Sequence, residues 1–531
     1  MSWNNMVVTR RTLAALAAGA ALPVKAQESD RPLKLVVNVG LQSLDPIAGG
    51  SYVTRNFAYM VFDTLVAIDS TGAYKPQMLE GWQTSSDRLT WTFTLRPGLE
   101  FHDGSPVLAE DAVASVHRWS MRDAIGKRLA AATKAMRTVD NSTFVIELLR
   151  PFSDMIEALG KPSVFVPFIM PARLAATPPT TNVSEVMGSG PFLFNAKEWV
   201  PGERATFQRN PRYRPRLEPA DGLAGGKVAR VERAEIITMT DIGLRAAAIQ
   251  RGEVDYLEYA PFDYISTFAT DPNVVLARAG GRALIMGTML MNHAQPPFDN
   301  VLVRRAVQET MDRTEILAAL GLPADAVQPE CTSLFMCGTT YSAEATSETV
   351  RRPSMDRAKA LLHEAGYTNQ RVVVLLPSDS ALIYPIGLVM IDRMKQAGFN
   401  IDVQTSDWSS IATRLPRKGP LDQGGWSMVP EIYLGFDMAE PIGNPGIGYN
   451  CSGEAMHGAY CSAEMNPLIE EFETEPDLGK RQDIAARLQA LCYENVNFPI
   501  AGQFRAPAVW RRELKGVIDF GIPILWNIQR T

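Results

Sequence analysis

The sequence predicts an α/β protein divided into at least two domains, and three observations carry this. Residues 230–259 read as strand, helix, strand: Ala234 to Ile237, Leu244 to Ile249, then Val254 to Tyr256, with Gly252 ending the helix as in a parallel β-α-β unit. A second such unit follows, with strands at Val372 to Leu376 and Ile401 to Val403 around a helix from Ile386 to Ala397. The chain is 531 residues long, beyond the roughly 250–300 that one core usually supports.

The chain opens with Thr9-Arg10-Arg11-Thr12-Leu13, an Ala-rich apolar run to Leu22, and Val24-Lys25-Ala26 before Gln27. The run is shorter than the roughly 20 apolar residues that span a bilayer. Residues 1–26 therefore read as a secretory signal of the twin-arginine type, and the mature chain is expected in a periplasm. Removing Arg10, Arg11 and Lys25, with no acid lost, takes the formal charge from -6 to -9. A mildly acidic chain with scattered Lys and Arg argues against nucleic acid and an anionic membrane face as partners. Hydrophobic content of 46% and charged content of 21% are those of an ordinary globular protein.

After a strand at Leu33 to Val39 and a helix expected over Val53 to Leu65, the most informative stretch is Gly81 to Trp119. Thr90 to Leu95 alternates polar and apolar, which predicts a half-buried strand with Trp91, Phe93 and Leu95 inward. Arg96-Pro97-Gly98 breaks it and Asp103-Gly104 supplies a tight turn. A helix follows, with Asp103 or Ser105 as the expected cap, Pro106 in the first turn, and Val113, Val116 and Trp119 on the buried face. A further alternating strand is expected within Asp140 to Leu149, and a long apolar one over Leu284 to Asn292.

The run GWQTSSDRLTWTFTLRPGLEFHDGSPVLAEDAV resembles the signature of extracellular solute-binding proteins of family 5, the peptide and nickel receptors of ABC transporters. The resemblance extends to Leu44-Asp45-Pro46, Phe62-Asp63-Thr64-Leu65, Gly188-Ser189-Gly190-Pro191-Phe192, Arg209-Asn210-Pro211-Arg212-Tyr213, Val303-Arg304-Arg305-Ala306 and the helix Met355 to Tyr367. It implies a two-lobed α/β periplasmic binding protein (type II, cluster C-like) with an inserted subdomain. One lobe is expected from residues 27–74, 188–283 and 501–531, the insert from 75–187, and the second lobe from 284–500. Pro499 to Gln503 is expected to carry the chain back to the first lobe. The function it implies is capture of a short peptide or peptide-like solute and delivery to a two-subunit permease with its ATPases, by a monomer without a cofactor. A nickel or haem carrier, or a receptor for a non-peptide organic solute, is the alternative.

Catalytic motifs fail on inspection. Gly425-Trp426-Ser427-Met428-Val429 ends in valine where a nucleophile elbow needs glycine. His363-Glu364 lacks the second histidine of a zinc helix, and Gly225-Gly226-Lys227-Val228 lacks the phosphate-cradling glycine and hydroxyl. No enzyme is expected. His102, His117 and His363 read as structural, while His293 and His457 are the better metal contacts if a metal is carried. Cys331 with Cys337 and Cys451 with Cys461 are the economical disulfides in an oxidising compartment, although any four cysteines allow three connectivities. Cys492 is left over.

In many peptide-binding relatives a W-x-x-D-Y-x-D-P run lies at the cleft, and an acidic residue there holds the ligand's α-amino group. Set on Trp426, the motif finds no acid through Pro430, and Glu431, Asp437 or Glu440 are the substitutes. Trp426, flanked by glycine, is the leading ligand contact, with a core tryptophan as the rival reading. Ser427, Tyr433, Gln42, Ser43, Asn292 and Gln503 complete the expected site because loops or crossovers implied by the resemblance place them near the mouth.

Overall fold

The computed structural model of the chain describes residues 31–417, 419–447 and 464–531. The signal segment 1–26, His457 and the expected Cys451–Cys461 pair lie outside the described residues.

A seven-stranded sheet runs in the order Phe192–Phe194, Arg204–Arg209, Arg233–Thr238, Leu33–Val37, Tyr256–Leu257, Val509–Arg511, Val274–Leu276. Leu33–Val37 has parallel partners on both sides, with Leu35 opposite both Ile236 and Tyr256. The helix Ile242–Gln250 makes the crossover between those partners, and Gly252, at φ +72°, ends it where a Cβ would be strained.

A second, six-stranded sheet has the order Val327–Gln328, Ile500–Phe504, Ile285–Met291, Met428–Leu434, Arg371–Pro377, Asn400–Ser406. Its β-α-β unit is the expected one: Arg371–Pro377 and Asn400–Ser406 are parallel, joined through the helix Tyr384–Ala397. The expected crossover at Pro499 to Gln503 is corrected here. Ile500–Phe504 is buried along its whole length and pairs with Ile285 to Thr288, so it belongs to the second sheet. The chain returns to the first sheet only with Val509–Arg511, which pairs with Tyr256–Leu257.

A four-stranded antiparallel sheet is ordered Leu79–Thr84, Thr90–Leu95, Thr143–Leu148, Thr133–Thr138. Trp91, Phe93 and Leu95 point inward as the alternation requires, and Phe93 stacks on Phe144 with ring centroids 5.1 Å apart. The helix Ala109–Ser120 covers the sheet through Ala112, Val116 and Trp119. Its cap differs from expectation: Asp103 instead closes a turn on the Ser105 N–H at 2.9 Å, and the Leu108 N–H donates to Asp111 at 2.8 Å.

One apolar cluster runs without a break from Phe93, Trp119 and Met155 into Met286, Phe335, Phe472 and Leu488, so the four-stranded unit and the six-stranded unit share a core. Buried ion pairs cross the same boundary: Glu473 accepts from Arg128 and from Arg150, and Arg481 donates to Asp154. Family-signature residues hold the other joints. Asp45 receives both nitrogens of Arg118 at 3.0 and 2.8 Å. A Cβ on Gly188 would meet the Val61 carbonyl at 2.0 Å, so that segment needs glycine for close approach. Lys227 is no phosphate ligand: its amine is buried 2.7 Å from Asp63.

Candidate functional site

In an open α/β sheet, ligands bind in the crevice outside the carboxyl ends of the strands. Here the parallel strands Leu33–Val37 and Tyr256–Leu257 run directly into Asn38 and Glu258. The facing helix Tyr52–Val61 begins at Ser51, whose side chain accepts the Thr54 N–H, and the spacing of Tyr52, Arg55 and Asn56 puts all three on one face.

These residues form a continuous polar chain. Glu258 Oε1 accepts from Asn56 Nδ2 at 2.7 Å, and Asn56 Oδ1 accepts from Arg55 Nη2 at 2.8 Å. The Arg55 guanidinium lies over the Tyr52 ring, 5.1 Å from its centroid, and Nη1 reaches the Pro162 carbonyl at 3.4 Å. Tyr52 donates to Asp437 Oδ2 at 2.5 Å and accepts the Leu434 N–H at 3.2 Å. The chain thus joins the first sheet, the Pro162 loop and the end of a second-sheet strand.

Burial dominates the electrostatics. It pushes the Glu258 carboxyl up to about 7, with Arg55 and the Asn56 hydrogen bond opposing. It also raises Asp437, against the Tyr52 hydrogen bond and the positive charges of Arg55 and Lys161. Three residues beyond Asp437, Glu440 pairs with Arg282 at 2.6 Å. Beside Glu258, a cavity of about 20 Å³ lined by Tyr259, Leu434 and Arg505 has room for one water. A larger hollow, about 800 Å³, lies away from this junction, between the helix Ala109–Ser120 and the edge strand Thr133–Thr138. It contains no buried polar cluster, so the chemistry points to the junction.

The expected site residues divide. Trp426 is corrected to a core residue: it is 0% exposed, packed with Leu290, Val373, Ile411 and Leu415, and its Nε1 donates to the Leu415 carbonyl at 3.0 Å. Ser427 Oγ accepts the Val373 N–H, and Asn292 Nδ2 donates to the Trp426 carbonyl, so both fasten strands together. Gln503 is buried and grips the loop of the Cys331–Cys337 disulfide through the Cys337 N–H and the Phe335 carbonyl. Tyr433 is half-buried and stacks on Phe498 at 6.0 Å. Gln42 is exposed, and Ser43 bonds Asn182 while its carbonyl accepts from Thr54, one residue from Arg55. His293 Nε2 is engaged with the Asn497 carbonyl and burial lowers the ring to about 3. Cys492 is a buried free thiol.

Sequence reasoning missed Tyr52, Arg55, Asn56 and Glu258. For Asp437 a signal existed: Asp437-Met438-Ala439-Glu440-Pro441 repeats the acid spacing of D-Y-x-D-P, once the motif is set on Leu434 rather than Trp426.

Residues 73–443 match the family model of bacterial extracellular solute-binding proteins, family 5 (middle part). The chain belongs to this family. A family 5 relative, the probable peptide ABC transporter periplasmic-binding protein y4tO of Sinorhizobium fredii, is 34% identical over 99% of this chain and 100% of its own length. The glutathione-binding protein GsiB of Pectobacterium atrosepticum is 24% identical over 80% of this chain and 79% of its own. Among solved structures, AgaA of A. tumefacien R10 in complex with agropinic acid superposes with a TM-score of 0.78 at 20% identity, over 94% of this chain and 99% of that one. DppA of Helicobacter pylori in complex with the peptide STSA gives a TM-score of 0.77 at 18% identity, over 94% and 98%. The fold of this family 5 protein is therefore the two-lobed periplasmic binding fold of mixed α/β content, and its family is one of solute receptors rather than enzymes. Among the described residues no helix is long and apolar enough to cross a membrane, and no group of three or more His, Cys, Asp or Glu could hold a metal ion.

Proposed function

We propose that this protein is the periplasmic receptor of an ABC importer and captures a short peptide or peptide-like solute between its lobes. The observation that carries the reading is the Glu258–Asn56–Arg55–Tyr52–Asp437 chain at the carboxyl ends of the sheet strands. Asp437 stands at the spacing where peptide-binding relatives carry the acid for the ligand's α-amino group, and the y4tO relative bears a peptide-transport name along its full length.

In this reading the first lobe comprises 27–74, 188–283 and the chain after Phe504, the insert 75–187, and the second lobe 284–504. Tyr433, Ser43 and Gln42 sit at the rim of the cleft. Ligand bridging the lobes selects the closed form, which docks on a permease served by ATPases. Export follows the twin-arginine route, so Arg10→Lys with Arg11→Lys strands the precursor in the cytoplasm.

The test is mass spectrometry of small molecules released by denaturing protein taken from the native periplasm, with a thermal-shift screen of di- and tripeptides, glutathione and nickel. Binding at a hundredfold excess over Kd stabilises by about 2.7 kcal/mol. A released peptide with a matching shift supports the reading. Release of nickel, haem or a non-peptide acid, with no shift from any peptide, replaces it.

A further inference from the structure

We infer that Arg55 is the anion anchor of the site, and that the solute it takes carries a carboxylate or comparable anionic group at that end. This rests on the receptor reading above and adds the chemistry of one end of the ligand.

Arg55 is 3% exposed, yet among the described residues no carboxylate lies within ion-pair distance of it. Two other buried arginines do have carboxylate partners, Arg118 in Asp45 and Arg481 in Asp154, whereas Arg245 bonds the Asn38 side chain and Arg313 the Pro329 and Val350 carbonyls. The two acids nearest Arg55 are each held off by a neutral side chain. Asn56 stands between it and Glu258, and Tyr52 between it and Asp437. A guanidinium carries five N–H donors. Arg55 directs Nε and Nη2 to the single oxygen of Asn56, at 3.2 and 2.8 Å, and Nη1 only to a carbonyl at 3.4 Å. Donors therefore remain unfilled on a buried cation, an arrangement that is costly unless an anion or further acceptors complete it.

The location selects a ligand as that anion. Arg55 lies where three parts of the molecule meet: its own helix, the Pro162 loop of the insert, and, through Tyr52, Asp437 beside the second sheet. A planar carboxylate accepts two parallel N–H bonds from such a fork, and the Tyr52 ring stacked against it fixes its plane. Glu258 and Asp437, a hydrogen-bonded side chain away on either side, disfavour an anion that merely diffuses in and favour one delivered with a compensating cation on the same molecule. A zwitterionic or amino-acid-like solute has that charge pattern.

The experiment uses the mature full-length chain, as wild type, Arg55→Gln, Arg55→Lys and the exposed-surface control Arg251→Gln. Each is titrated calorimetrically with the free-acid di- and tripeptides of the screen and with their C-terminal amides. For wild type and the control, the acid should bind about ten- to a hundredfold more tightly than the amide, the worth of a charged hydrogen-bond pair. Arg55→Gln should abolish that preference, and Arg55→Lys should keep part of it. Wild type binding acid and amide equally, or Arg55→Gln retaining the preference, overturns the assignment while leaving the receptor reading intact. Wild type unmoved by every peptide overturns the peptide reading and this one with it. Should Arg55→Gln fail to fold, Arg55→Lys carries the comparison: a reduced preference for the acid supports the assignment and a preference equal to that of wild type overturns it.

Discussion

Tyr52, in the first helix, donates a 2.5 Å hydrogen bond to Asp437 while accepting the Leu434 N–H at 3.2 Å, so one hydroxyl ties the helix to the end of a second-sheet strand. Tyr52→Phe removes it and leaves a buried carboxylate and a backbone donor short of a partner, a loss of about 1–3 kcal/mol. The expected result is a larger radius of gyration for the ligand-free protein in small-angle scattering and a lower thermal midpoint. A lower midpoint with an unchanged radius would mean that the hydroxyl serves local stability and not closure.

Glu431 sits half-buried on the strand Met428–Leu434, opposite Thr288, with no ion-pair partner for its carboxylate among the described residues. Burial pushes it from 4.5 up to about 8. A folded-state value above the unfolded one means the native protein holds the proton more tightly. Its favourable contribution is complete below pH 4.5 and is lost as the pH rises through about 8. Glu431→Gln should be neutral at pH 5 and stabilising at pH 9. At about 1.4 kcal/mol per unit, several kcal/mol is the ceiling, and solvent at the tip reduces it. Urea denaturation at the two pH values checks this, and equal effects at both would refute it.

Trp426→Ala should destabilise by about 3–5 kcal/mol, as removal of a large core aromatic does, without a ligand-specific effect beyond that loss. The comparison is the ratio of apo to ligand-bound denaturation midpoints in wild type and variant. The residue also shows where local reading stops. Its flanking glycines suggested an accessible ring, but a Cβ on Gly425 would meet the Gly419 carbonyl at 2.1 Å, so that glycine serves backbone packing. The strand at Thr90–Leu95, the β-α-β units and their glycine stops were legible because period and turn chemistry are local. Of the site only Asp437 was legible, because the site joins residues 52–56, 258 and 437. Tyr52 and Asp437 are 385 positions apart, and nothing in either segment's pattern points to the other.

The Cys331–Cys337 bridge closes a short loop, with a sequence separation of 6. Its contents are buried: Leu334, Phe335 and Met336 join the core shared with the four-stranded sheet, and Gln489 and Gln503 hold the backbone. Loop-closure entropy for so short a ring amounts to about 2 kcal/mol. Cys331→Ser with Cys337→Ser should lower unfolding free energy by that amount, and dithiothreitol should do the same to wild type. A loss well below 1 kcal/mol would show that the two glutamines suffice to order the loop in both states.

Asp154, at the start of the helix Met155–Gly160, and Arg481, on the helix Leu478–Asn495, form a buried pair, and the arginine also donates to the Tyr341 hydroxyl at 3.1 Å and lies 4.0 Å over the Phe472 ring. The second oxygen of Asp154 has no partner, and burial together with the Glu157 and Glu440 carboxylates raises its proton affinity, against the opposing charge of Arg481. Removing one member of such a pair costs about 3–5 kcal/mol because the other charge is stranded. Arg481→Met strands Asp154, which escapes by taking a proton. The cost should therefore be small at pH 5 and grow as the pH rises towards 9, following a folded-state value held above the unfolded 3.8. Asp154→Asn should cost less at pH 8 than Arg481→Met, since it also relieves repulsion from Glu157 and Glu440. In the Asp154→Asn, Arg481→Met double variant no stranded carboxylate remains, and much of the Arg481→Met loss should be recovered. Denaturation of the four proteins at pH 8 gives the coupling directly, and strict additivity would mean that the two side chains act independently and do not clasp their two helices together.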